Sequence, residues 1–139
     1  MSLIDDLAQA IATFEGYFKP GTVAARNNNP GNLRAGPRAI GKDERGYAIY
    51  ATPEDGWADL KRQIELNISR GLSLREFFAG KPGVYPGYAP AADQNQPERY
   101  AAFVSERVGI PMDVPLVSLS PPDPSLGRPA SPRPAGRKA

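Results

Sequence analysis

The chain has 139 residues, a formal net charge of +2, and neither cysteine nor histidine. That length allows one modest core, and the missing residue types exclude disulfides, thiol nucleophiles, Ser-His and Cys-His dyads and the usual zinc ligands. Any chemistry must come from carboxylates, amides, hydroxyls, Arg and Lys. Beyond Ser118 the charges are Arg128, Arg133, Arg137 and Lys138 against Asp123, which makes the tail +3 and the body −1. The body therefore lacks the basic, aromatic-interleaved stripe of a nucleic-acid binder.

In chain order, the first predicted element is a helix that begins at Leu3 and ends near Gly16. Leu3, Ile4, Leu7, Ala8, Ile11, Phe14 and Phe18 fall on one stripe at helical spacing,. Glu15 lies inside that stripe. Lys19-Pro20-Gly21-Thr22 reads as a turn, and Arg26 to Gly41, dense in Asn, Gly and Pro, as a loop shaped by turn chemistry. Pro30-Gly31 suits the centre of a type II turn. Gly46 to Tyr50 reads as a short strand that pairs with Arg38 to Ile40 in a small hairpin.

Thr52-Pro53-Glu54-Asp55 opens a helix to about Arg70, with Thr52 as N-cap and Pro53 at the first helical position. Trp57, Leu60, Ile64 and Ile68 form its buried face, and Gly71 its stop. Ser73-Leu74-Arg75-Glu76 is a capping box that opens a short helix through Phe78. Lys81 to Gln96 is a long loop, and Pro97 begins a last helix that carries Tyr100, Phe103, Val104 and Val108 and stops at Gly109. The boundaries expected are one domain over 1–118 and a Pro/Arg-rich irregular tail over 119–139.

The chemistry concentrates at two places. A carboxyl directed toward a core is costly while charged, and burial and a place in the last helical turn both raise its pKa, so Glu15 is a candidate general acid. The loop Arg26-Asn27-Asn28-Asn29-Pro30-Gly31-Asn32-Leu33-Arg34 supplies four side-chain amides, each both donor and acceptor,. These amides serve either a ligand or the neighbouring backbone. Beside a protonated acid they suit an uncharged substrate rich in hydroxyls and amides, such as an N-acetylated glycan.

Phe14-Glu15-Gly16, the Asn-Asn-Asn-Pro-Gly-Asn-Leu-Arg loop, Thr52-Pro53-Glu54-Asp55-Gly56-Trp57, Ser69-Arg70-Gly71-Leu72-Ser73-Leu74 and Glu98-Arg99-Tyr100-Ala101-Ala102-Phe103-Val104 resemble the lysozyme-like lytic transglycosylases of phages and bacteria. The resemblance spans roughly Ile4 to Ile110. It implies a mainly α, lysozyme-like α+β fold whose small hairpin lines an active-site cleft. It also implies that Glu15 is catalytic, that the Asn29 to Leu33 loop binds substrate through Asn29, Gly31, Asn32 and Leu33, and that Tyr100 faces the cleft. Tyr47 and Tyr88 are further candidates to stack on sugar rings, as are Tyr50 and Tyr85. The chain departs from the soluble members, which carry Glu-Ser and Gly-Leu-Met-Gln where this one has Glu15-Gly16 and Gly31-Asn32-Leu33-Arg34.

The family cleaves the β-1,4 bond from N-acetylmuramic acid to N-acetylglucosamine in peptidoglycan. Hydrolysis of such a bond usually takes two carboxylates. A lytic transglycosylase needs one, because the 6-hydroxyl of the sugar attacks the anomeric carbon and leaves a 1,6-anhydro end. Of the other acids considered, Asp55 reads as part of a helix start, Asp43 and Glu44 as a hairpin tip, and Asp93 as a loop residue. The transglycosylase outcome is therefore preferred, with a muramidase-type hydrolase and a non-catalytic wall-binding or virion module as alternatives. The expectation is a monomer that acts on peptidoglycan strands at the bacterial cell wall, with no metal or cofactor, no nucleic acid and no membrane insertion. Asp5 and Asp6 occupy the place where a signal peptide would carry basic residues, so delivery by a virion or by export is expected.

Overall fold

The computed structural model describes residues 2–91 and 95–119. The protein is mostly helical, with one small two-stranded antiparallel sheet. No helix among these residues is long and apolar enough to cross a membrane. They divide into two compact units, one through Ile64 and one from Glu65.

The first unit opens with α1, Leu3–Phe14. Ser2 caps it, accepting from the Asp5 amide at 3.0 Å, and Leu7, Ala8, Ala10, Ile11 and Ala12 supply its buried face. The helix ends near Gly16, as expected, although the apolar stripe runs on to Phe18. Gly16 adopts a left-handed φ of 78°, the Tyr17 amide returns to the Ala12 carbonyl at 3.0 Å, and the Gly16 amide returns to that of Thr13 at 3.1 Å. This is the Schellman closure, and it places Glu15 at the C-cap,. Phe18 accordingly lies outside the helix, 56% exposed. There it joins Tyr17 and Trp57, whose rings meet edge to face at 5.6 Å. Trp57, expected in the core, is only half-buried.

A short helix that the periodicity does not reveal, α2 (Val23–Arg26), follows. Thr22 caps it by accepting from the Ala25 amide at 3.2 Å. The hairpin forms, but one step along from the pairing expected: β1 is Gly41–Lys42, β2 is Ala48–Ile49, and Gly41 faces Ile49. Ile40 still donates its amide to the Ile49 carbonyl at 2.8 Å. Arg38 lies outside the ladder because both its amide and its guanidinium bind Asp59.

Helix α3, Pro53–Ser69, opens as expected, with Thr52 Oγ1 accepting from the Asp55 amide at 3.2 Å. Leu60 and Ile64 are its fully buried apolar residues in this unit. Gly56 has a steric reason to be glycine, since a Cβ there would meet the Asn28 carbonyl oxygen and Pro30 Cδ at 2.8 Å. Helix and loop backbones touch at that point.

In the second unit α3 ends in another Schellman closure, with Gly71 left-handed and the Leu72 amide reaching the Asn67 carbonyl at 3.4 Å,. Helix α4, Leu74–Ala79, carries the expected Ser73/Glu76 capping box. Helix α5, Pro97–Val108, packs against α4, and a 3₁₀ turn, Leu116–Leu119, follows. Arg75 ties this segment down, binding Asp113 through Nε at 2.6 Å and also pairing with Glu98. Apart from Leu119, the expected tail lies outside the described residues.

Candidate active site

Glu15 is held by local chain geometry. Its amide bonds the Ile11 carbonyl at 2.9 Å and Gly16 turns the chain away behind it. The carboxyl is half-buried rather than fully enclosed. Asn32 Nδ2 donates to Glu15 Oε1 at 3.3 Å, so the Asn-rich loop and the helix-end carboxyl are neighbours in the fold as well as in the motif order. Asn32 has a left-handed φ of 51°, a conformation that asparagine tolerates better than most residues. Among the described residues its Oδ1 is buried and has no hydrogen-bond partner.

The other three asparagines build the frame. Asn27 Nδ2 donates to Asp43 Oδ2 at 2.9 Å, across to the hairpin tip. Asn28, also left-handed at 53°, donates its amide to the Tyr50 carbonyl at 3.0 Å. Asn29 donates to the carbonyls of Leu33 and Ala48, both at 2.9 Å, and accepts from the Leu33 amide at 2.9 Å. These bonds correct the expectation that Asn29 contacts substrate. Its side chain is 0% exposed and its amide is used inside the fold, so it shapes the loop. Leu33 is likewise buried, and its carbonyl takes the Ala48 amide at 2.9 Å; it too is scaffold. The Pro30-Gly31 turn closes with the Asn32 amide on the Asn29 carbonyl at 2.9 Å. Its left-handed step falls on Asn32 and not on Gly31, as a type II turn would require,.

Tyr47 is half-buried, and Arg34 lies over its ring at 4.6 Å while donating to the Arg45 carbonyl at 3.1 Å. One face of that ring is therefore occupied by a guanidinium. Tyr88 and Tyr100 belong to the second unit. Tyr100 is 3% exposed and stacks on Phe78 with centroids 4.1 Å apart, and Tyr88 meets it edge-on at 6.2 Å. Tyr85 packs under Arg70 at 5.0 Å, and burial pushes its hydroxyl pKa up.

One buried carboxylate escapes the sequence reading. Asp59 is 2% exposed and accepts from Tyr50 Oη at 2.9 Å, the Arg38 amide at 3.0 Å and Arg38 Nη1 at 2.7 Å. Gly36 makes room for this cluster, since a Cβ there would strike Asp59 Oδ2 and lie 2.6 Å from Tyr50 Oη. Burial first, and then the Asp59 carboxylate beside it, raise the Tyr50 pKa well above the usual tyrosine range. The signal was present: Asp59 lies on the helical stripe that carries Leu60 and Ile64 inward,.

Asp43 accepts from Asn27 and from the amides of Arg45 and Tyr47, each at 2.9 Å. The Asn27 amide foremost, then these backbone donors, hold its carboxyl below the ordinary range. Asp5 pairs with Lys61 at 2.9 Å, and Asp93 lies outside the described residues. Among the described residues no cluster of three or more acidic side chains could hold a metal ion. Comparison with known protein families, curated proteins and solved structures found no match to the chain.

Proposed function

We propose that this chain is a lysozyme-like enzyme that cleaves peptidoglycan glycan strands between N-acetylmuramic acid and N-acetylglucosamine, acting as a lytic transglycosylase with Glu15 as general acid and then general base. The observation that carries this reading is the contact between Asn32 Nδ2 and Glu15 Oε1 at 3.3 Å. Two of the motifs that carry the resemblance meet at one carboxyl. A helix-end carboxyl that is half-buried can exchange a proton with a bound ligand while its backbone stays fixed,. In the proposed cycle Glu15 protonates the leaving glycosidic oxygen. It then takes the proton of the 6-hydroxyl as that oxygen closes on the anomeric carbon.

The carboxylate inventory favours the single-acid route over hydrolysis. Asp59 is enclosed by Tyr50 and Arg38, and Asp43 is engaged by Asn27 and two backbone amides. Asp55 sits in the first turn of α3. A retaining or inverting hydrolase would need a second carboxylate as nucleophile or base, and the single-acid route does not.

Incubation with purified sacculi and mass analysis of the soluble products tests the proposal. The expected products are muropeptides with 1,6-anhydro ends, one water lighter than the reducing ends a hydrolase leaves. Glu15→Gln keeps the shape and removes the acid, so release should fall at least about 10²-fold. Release at the wild-type rate by that variant would refute the assignment. Binding to sacculi with no soluble product from the wild-type protein would instead support the non-catalytic wall-binding alternative.

A further inference from the structure

The four asparagines of the loop are not equivalent, and the difference points to a role for one of them. Asn27, Asn28 and Asn29 spend their side-chain amides on the hairpin and on the loop itself. An asparagine kept for structure normally ends that way, since a buried polar atom without a partner is costly. Asn32 does not. Its Nδ2 donates to Glu15 Oε1, and its Oδ1 is buried without a partner among the described residues. A buried polar atom without a partner is the exception in a folded protein and asks for a reason beyond packing.

Resting on the reading above, we propose that Asn32 is a positioning residue for Glu15: its amide fixes Oε1 as a hydrogen-bond acceptor, orients the carboxyl plane, and so puts the transferred proton on Oε2. In the protonated acid the carbonyl oxygen is a better acceptor than the hydroxyl oxygen, so an N–H bond to Oε1 favours the proton on Oε2. The 3.3 Å separation is long for an amide on a carboxylate, and such bonds tighten in the substrate complex. On this basis Asn32 acts through Glu15. Five charged groups of this unit are bonded elsewhere. Arg26 donates to the Gly21 carbonyl, Arg34 to the Arg45 carbonyl, Asp43 accepts from Asn27, Asp59 from Arg38, and Lys61 pairs with Asp5.

Asn32→Gly isolates the amide, because glycine adopts φ near 50° without strain and the loop path is kept. Two readouts on the full chain decide. In the first, which needs no activity, the Asn32 side-chain NH₂ signals are followed by NMR as the pH is lowered. They should shift in step with the Glu15 carboxyl and stop doing so in Glu15→Gln. Side-chain signals that move identically in both proteins overturn the inference, whatever the enzyme does. In the second, Asn32→Gly should lose about tenfold to a hundredfold in kcat with KM little changed. The basic limb of its pH profile should also move upward, because the lost donor had favoured the ionised carboxylate. Wild-type kcat and an unmoved profile, in a variant of unchanged melting temperature, also overturn it. Full muropeptide release by Glu15→Gln would strike the functional proposal and leave the NMR result to judge the contact.

Discussion

Replacing Asn29 by alanine is the sharpest test of how the loop is held. The side chain makes three hydrogen bonds at 2.9 Å, to Leu33 N, Leu33 O and Ala48 O, at a site of zero exposure. In the variant the Leu33 carbonyl keeps the Ala48 amide at 2.9 Å, whereas the Leu33 amide and the Ala48 carbonyl lose the Asn29 bonds. Two buried groups left short of a partner, at about 1–3 kcal/mol each, suggest a loss of about 3 kcal/mol, some of which local relaxation recovers. Against a typical stability of about 5–15 kcal/mol, that lowers the melting temperature by roughly 10 °C. Urea unfolding followed through the single tryptophan, Trp57, reports on the first unit, and hydrogen exchange at Leu33 and Ala48 reports on the loop. A stability change under about 0.5 kcal/mol, the range of ordinary surface substitutions, with unaltered protection at both amides, would refute the reasoning.

Two other outcomes follow from the packing and the charges. Gly56→Ala should be destabilised by about 3 kcal/mol or more, because the new methyl group lands on the Asn28 carbonyl and Pro30 Cδ,; a melting curve equal to the wild type's would show that the loop can move aside. In alkali, Tyr50 should ionise late. Its folded pKa is raised, so its contribution to stability is complete below the unfolded value near 10 and is lost as pH climbs past it,. An ultraviolet titration should show late tyrosinate signals from Tyr50 and Tyr85, with Tyr50→Phe removing one of them, and six tyrosines ionising together would contradict this.

The elements with local chemical punctuation were legible from the residues. Thr52 and Pro53 start α3, Ser73 and Glu76 start α4, and Gly71 stops α3, because caps and C′ glycines act within a few residues of themselves,. The end of α1 near Gly16 belongs with them: an apolar residue, Phe18, continues the stripe beyond the left-handed Gly16, but backbone geometry outweighs the pattern. The register of the hairpin was missed because Arg38 is claimed by Asp59, a pairing across 21 positions that no local window reveals. Within the candidate site the nearness of Glu15 to its loop agrees with the expectation, but the division of labour among the asparagines could not be read. Asn27, Asn28, Asn29 and Asn32 have the same side chain, and only the third dimension distinguishes an amide bonded to Ala48 from one bonded to Glu15.

The loop also completes the small sheet. Along the outer side of β2 the Ala48 amide meets the Leu33 carbonyl and the Tyr50 amide meets the Asn27 carbonyl, both at 2.9 Å. The Ala48 and Tyr50 carbonyls take the side chains of Asn29 and Asn28. Side-chain amides thus stand in for the peptide groups of a third strand. Two strands that would be marginal as an isolated hairpin gain a saturated margin, and β2 offers no open ladder to a second molecule. The loop that presents an amide to Glu15 therefore also closes the β2 edge, so substitutions at Asn28 or Asn29 would open that edge as well as loosen the site,.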